Sequence, residues 1–214
     1  MKVLVIGAHP DDEVIGCGGT ILRHVELGDS VEVCIITEAC SPEWNDKYRT
    51  EKIKEQIKVD FLLGIDKRHL LRFKTLSLNN FDRGRFNKEI SDVIDEVNPN
   101  IIYTHYNHSL NHEHNIVNLG TLVGSRIPNK STIYMYETEA SRYFLKPFKP
   151  NYYVSFDIKV MSKKIDAFML YRSEVRTKPH PRSMMGIRNL AEYRGIEAGV
   201  EFAEAFIQVR RLWI

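Results

Sequence analysis

KVLVIGAHPDDEVIGCGGT, residues 2–20, sets how the rest of the chain is read. The apolar run Val3-Leu4-Val5-Ile6 stops at Gly7-Ala8 and gives way to His9-Pro10-Asp11-Asp12-Glu13 and then a glycine cluster. A short apolar run of this kind reads as a parallel strand buried on both faces. The polar residues then fall at its carboxyl end, where open α/β sheets bind ligands. An imidazole and three carboxylates in five residues repel one another and resist burial unless a cation or solvent relieves them. The reading adopted here is a cation. A plain solvated helix cap would not place an imidazole and a proline at a buried strand end.

Working outward, Asp11 or Asp12 can cap a helix that runs to about Leu27, with Gly28-Asp29 ending it. Gly16, Gly18 and Gly19 weaken that helix by roughly 1 kcal/mol each, which suggests close approach either of another backbone or of a bound group. Val31–Ile36 forms a second strand and 37–46 a loop. Residues 47–63 form a helix with Ile53, Ile57, Phe61 and Leu62 inward. A short strand at 69–73, a polar loop at 76–84 and a helix at 85–97 follow. Ile101–Thr104 is the next buried strand, followed at once by HYNHSLNHEH, residues 105–114, which holds four of the eight histidines.

A helix from about Glu113 to Gly124 and a strand at 132–136 complete the alternation, which predicts a Rossmann-like, doubly wound, mostly parallel sheet flanked by helices. Beyond it come a loop at 137–150, a strand at 152–156, a helix at 159–171, an irregular proline-rich segment at 173–185 and a last helix at 187–207. With 214 residues and no repeat or linker, the chain fits one domain, 1–214.

Thirty basic and 28 acidic residues give a net charge of +2, without the field that marks nucleic-acid or membrane-surface binding. No apolar stretch approaches the ~20 residues of a membrane span. Three cysteines, Cys17, Cys34 and Cys40, without CxxC spacing, and a strand directly after Met1-Lys2, lead to the expectation of a cytoplasmic protein.

In a doubly wound sheet the first strand and the strand at Ile101 flank the switch point, so the two polar clusters should face each other. His9 and Asp12, three apart across a turn, with one histidine of the second cluster, would make a three-ligand N/O site with an open position, the pattern of catalytic zinc. Fe2+ suits two histidines and a carboxylate as well as Zn2+ does. Of the adjacent Asp11 and Asp12, one can ligate while the other takes a proton from an attacking water. Spacing does not choose among His105, His108, His112 and His114. The chemistry implied is metal-assisted hydrolysis of an amide or ester. A phosphoacceptor receiver domain also carries an acidic pair after its first strand. It further needs an Asp after the third strand and a Lys after the fifth, which Phe73-Lys74-Thr75 and Tyr136-Glu137-Thr138 lack.

Ala8-His9-Pro10-Asp11-Asp12-Glu13 with Gly16-Cys17-Gly18-Gly19 resembles the N-terminal signature of the PIG-L/LmbE-like family of zinc-dependent N-acetylglucosaminyl deacetylases. Residues 105–114 are similar to its second motif, commonly His-His-Pro-x-Asp-x-Asn-x-Asp-His, and Arg194-Gly195 with 202–206 to its closing pattern. The resemblance implies His9, Asp12 and His114 as metal ligands and Asp11 as general base. The substrate it implies is a small N-acetylated amino sugar, free or linked to a nucleotide or lipid; a zinc amidohydrolase for a non-sugar amide is the alternative, and a homo-oligomer is admitted.

Ser109 and Glu113 stand where the family often has Asp. Glu113 keeps the charge and could orient a ligand. Asn111 occupies a position where some relatives carry an oxyanion-steadying histidine, and with His180 it is a candidate for that role. Arg182, beside His180 in the proline-rich segment, and Arg49 and Arg142 are candidate substrate contacts, against the ordinary reading of surface charge.

Overall fold

The computed structural model describes residues 1–40, 42–142 and 146–212. β1 (Lys2–Gly7) takes the middle of the sheet because both its faces are apolar: Val3 and Val5 enter one layer, Leu4 and Ile6 the other, and all four are fully buried. β2 (Ser30–Glu38) and β3 (Lys67–Lys74) extend the sheet on one side. β4 (Ile101–His105) and β5 (Thr132–Tyr136) extend it on the other, and these five strands are parallel. β6 (Tyr152–Phe156) and β7 (Phe202–Arg210) complete the order β3-β2-β1-β4-β5-β7-β6, with β7 antiparallel to both neighbours. The register Val3↔Ile101, Val5↔Tyr103 sets the ends of β1 and β4 side by side, so the switch point lies between the two polar clusters.

Helices α1 (Asp12–Glu26), α2 (Asp46–Leu63), α5 (Ile158–Leu170) and α6 (Met184–Ala198) contribute to the core on one face. α3 (Arg83–Val97) and α4 (His112–Gly124) cover the other. The doubly wound α/β architecture expected from the strand pattern is thus observed.

The glycines of α1 are packing residues. A Cβ on Gly16 would meet the Tyr136 ring at 2.2 Å and one on Gly19 the Phe156 ring at 2.5 Å, so the sheet side chains fill the space that substrate could have taken. A buried ion pair also enters the middle of α1. The N–H groups of Gly19 and Thr20 donate to the Glu204 carboxylate at 2.8 and 2.7 Å, while Lys164 Nζ donates to Glu204 at 2.6 Å and to the Ile15 carbonyl at 2.9 Å. Ile15 is four residues before Gly19, so Lys164 takes the carbonyl that a regular helix would offer to Gly19.

Two expectations are corrected. The segment 187–207 is a helix only to Ala198; Gly199, at φ 72°, ends it and β7 follows. Phe202 and Phe206 share a face at a spacing that fits helix and strand alike, and the intervening Ala and Glu residues favour helices locally. In α2, Ile57 and Phe61 are exposed, and Lys52, Gln56, Val59 and Leu63 are buried. Part of this helix walls a cavity, so Lys52 and Gln56 join Val59 and Leu63 on its inner side, while Ile53 and Leu62 are half-buried.

Replacing Glu204 by Ala should destabilise the fold by about 3 kcal/mol, because Lys164 is left as an unpaired buried charge, and should speed amide exchange at Gly19 and Thr20. Denaturant unfolding and hydrogen exchange check both.

Candidate metal centre and adjoining cavity

The turn after β1 and the first turn of α4 bring His9, Asp12 and His114 together: one ligand atom from each lies within 4.8 Å of the others. Asp12 Oδ2 accepts the His9 backbone N–H at 2.8 Å, which leaves Oδ1 facing His114 Nε2 at 3.4 Å. Both of those atoms are buried and have no hydrogen-bond partner among the described residues. Two facing orphaned acceptor atoms are costly without a cation between them.

The surroundings orient both rings. His9 presents Nδ1 to Asp12 at 3.3 Å and Nε2 to Glu113 at 2.9 Å. Burial pushes the His9 pKa down, but the carboxylates of Asp12 and Glu113 outweigh it and carry it up to about 10, so the pocket favours positive charge at this ring. His114 has its pKa held well below the usual value by burial and by His105 stacked on it at 3.9 Å, and is a neutral imidazole. Its Nδ1 meets the hydroxyls of Ser109 at 3.2 Å and Thr138 at 3.5 Å, so Ser109 provides a neutral orienting partner. Burial raises and His114 and His105 lower the pKa of Asp12, with the lowering dominant, so it stays ionised.

The other histidines of the second cluster differ from His114. His105 is buried, but its Nε2 is engaged by the Ala8 N–H at 2.9 Å. His108 packs edge-on against Tyr106 and His112 is exposed.

Asp11 sits at φ 128°, ψ −27°, a backbone conformation that is strained for any residue with a side chain. Glu13 holds it there. Glu13 Oε2 accepts the Asp11 N–H at 3.0 Å, while Oε1 accepts from Tyr171 at 2.5 Å and Arg68 at 3.0 Å. Arg68 is in turn held by Asp60. The Asp11 side chain is buried, with Oδ2 3.2 Å from Arg182 Nη1. Burial, reinforced by Asp12, Glu174 and Glu139, raises its pKa well above the usual range, against the opposing Arg182 charge, so it is a carboxylate with heightened affinity for a proton.

Asp11 and His9 open into a cavity of about 270 Å³ that is also lined by Asn111, Arg49 and Arg182. Asn111 caps α4 through its Oδ1, which accepts the Glu113 N–H at 3.0 Å; its Nδ2 is therefore the polar atom free to donate into the cavity. His180 is exposed, its Nδ1 accepts the Arg182 N–H at 3.0 Å, and it does not line the cavity, so the structure does not bring it to the site. The side chain of Arg142 lies outside the described residues.

Sequence reasoning passed over the α2 wall, Tyr48, Lys52 and Gln56, whose i, i+4, i+8 spacing was the available signal. It also left Glu13 without a role and missed Arg68 and Tyr171, isolated residues that approach only through the fold. Lys52, Glu174, Arg182 and Asp11 form a chain of contacts at 3.0, 3.0 and 3.2 Å in that order.

Fold and cluster define an α/β protein with three N/O groups that could hold a metal ion, and a further buried acid beside them, at its switch point. The chain matches the PIG-L family model, described as GlcNAc-PI de-N-acetylase, over residues 4–123, and belongs to that family. It is 26% identical to the diacetylchitobiose deacetylase of Thermococcus kodakarensis over 220 positions, covering 95% of this chain and 81% of that protein.

Among solved structures, the N,N'-diacetylchitobiose deacetylase of Pyrococcus horikoshii, complexed with an inhibitor, superposes with a TM-score of 0.78 at 23% identity, over 96% of this chain and 82% of that one. The 4-carboxy-2-hydroxymuconate hydratase of Pseudomonas putida does so with a TM-score of 0.78 at 18% identity, over 100% and 98%. The fold therefore hosts more than one reaction, and function has to be argued from the site. No helix among the described residues is long and apolar enough to cross a membrane.

Titrating metal-stripped protein with Zn2+ should give one tight site per chain. The site should be lost in His114→Ala and kept in His112→Ala, as read by calorimetry.

Proposed function

We propose that this chain is a metal-dependent N-deacetylase that hydrolyses the acetamide of an amino sugar or its conjugate. The observation that carries the reading is the pair of facing, unpartnered atoms, Asp12 Oδ1 and His114 Nε2, beside the strained and proton-avid Asp11. His9, Asp12 and His114 would hold the ion, zinc or ferrous iron, and the donor set fits both. When bound, the ion supplies Lewis acidity, which acidifies water and polarises a carbonyl.

The remaining work falls to the chain itself. Asp11 accepts the proton of the attacking water at its carboxylate, the water oxygen bonds to the acetyl carbon, and the C–N bond breaks. Asp11 then returns the proton to the leaving amine, so acetate and a free amino sugar result. Arg182 lies 3.2 Å from the Asp11 carboxylate as its counter-charge and is itself held at the cavity wall by Glu174 and Glu139. Asn111 Nδ2 is placed to hydrogen-bond oxygen as negative charge develops there. Glu113 keeps the His9 ring turned with Nδ1 toward Asp12, a role that outer carboxylates commonly serve.

Membership of the family and the similarity to a diacetylchitobiose deacetylase support a sugar acetamide over other amides. Acetate release from N-acetylglucosamine and its glycosides by the zinc-loaded protein is the direct assay; a fully loaded protein inert on all of them would overturn the reading. Asp11→Asn should retain its metal and lose turnover by about a hundredfold or more, the range of general-base catalysis. Loss of the metal instead would mean that the two aspartates have exchanged roles.

A further inference from the structure

The charges lining the cavity pair off, with one exception. Asp11 is matched by Arg182 and Glu174 by Lys52, while Arg49 lies 3.7 Å from Glu38 and 3.5 Å from Asp46. Arg72 lines the same cavity, is exposed, and has no hydrogen-bond or ion-pair partner among the described residues. Its backbone is unusual as well. The β2–β3 register runs Ile35↔Leu70 and then Thr37↔Phe73, so β3 carries one extra residue in this interval, and Arg72 sits there at φ 57°. Bulges of this kind re-aim a side chain beside a binding site, and a left-handed arginine costs backbone energy that the surrounding structure must offset. Leu76, further along the same rim, is also left-handed, at φ 65°.

We propose that Arg72, with the loosely paired Arg49 as its second cation, forms a subsite for an anionic group, phosphate or carboxylate, attached to the amino sugar. The inference rests on the deacetylase reading. β3 is two strands from β1 in the sheet order, which sets the two strand ends about 10 Å apart at the usual strand spacing. With the acetamide at His9 and Asp11, the sugar ring spans the interval and its substituent arrives under Arg72. Trp44, in the same lining and with its ring centroid 6.4 Å from that of Tyr48, supplies a flat apolar wall. A guanidinium with no protein partner is available for a two-pronged contact with either oxyanion.

The test compares kcat/KM for N-acetylglucosamine 1-phosphate, the carboxymethyl glycoside and the uncharged methyl glycoside. The wild-type protein should prefer one or both anionic substrates, and the ratio over the methyl glycoside should fall about tenfold in Arg72→Gln, through KM, with partial recovery in Arg72→Lys. The first two substrates separate phosphate from carboxylate as the preferred group. Equal kcat/KM for charged and uncharged substrates, or a ratio unaltered in Arg72→Gln, would overturn the subsite while leaving deacetylation intact. If none of the three is turned over, the deacetylase reading fails first, and calorimetric binding of N-acetylglucosamine 1-phosphate decides the subsite: weaker binding by Arg72→Gln supports it, and equal binding rejects it.

Discussion

Asp12 is a fully buried carboxylate placed among three imidazoles, those of His9, His105 and His114. Burying that charge is expensive, and the surrounding structure compensates for it. The His9 backbone N–H holds one oxygen, Ala8 occupies the nearest nitrogen of His105, and Glu113 and Ser109 turn the outer edges of His9 and His114. What remains is one carboxylate oxygen and one imidazole nitrogen 3.4 Å apart, neither with a hydrogen-bond partner among the described residues, which is where a cation is best accommodated. The position of β1 between β2 and β4 serves this arrangement, because only at the switch point do the loops after β1 and β4 converge.

A second constraint sits one residue earlier. The backbone of Asp11 is strained, and a buried network of Glu13, Arg68, Asp60 and Tyr171 keeps it so. With Asp12 directed inward, Asp11 is turned toward the cavity and Arg182. Two adjacent acids with identical chemistry thus meet opposite environments: Asp12 stays ionised among imidazoles, and Asp11 is made more basic by burial and neighbouring carboxylates. Such divergence is how a pair of carboxylates divides ligand and proton-transfer roles.

Much of this was legible in the chain. The β1 run, the HPDDE cluster and the histidines after β4 carried the fold and the expectation of a shared metal site, because each is a local pattern with its own physical signature. Four things were not legible for physical reasons. The alternation in β7 coincides with helical spacing at Phe202 and Phe206. Part of the inner face of α2 lines a cavity and carries Lys52 and Gln56, so hydrophobic periodicity placed Ile53 and Leu62 correctly but misplaced Ile57 and Phe61. His180, rigid between prolines in the sequence, turns outward, and its neighbour Arg182 reaches Asp11 instead. Glu13 had no role assigned from the sequence because its partners, Arg68 and Tyr171, are distant along the chain.

The central claim is that His9, Asp12 and His114 hold a single ion with Asp11 left free. Crystals of the zinc-loaded protein, measured on either side of the zinc absorption edge, test it most directly. One anomalous peak within about 2.0–2.2 Å of an atom from each of the three residues, with the Asp11 carboxylate uncoordinated, is the expected result. A peak ligated by His105 or by Asp11, or none in this cluster, would contradict the claim.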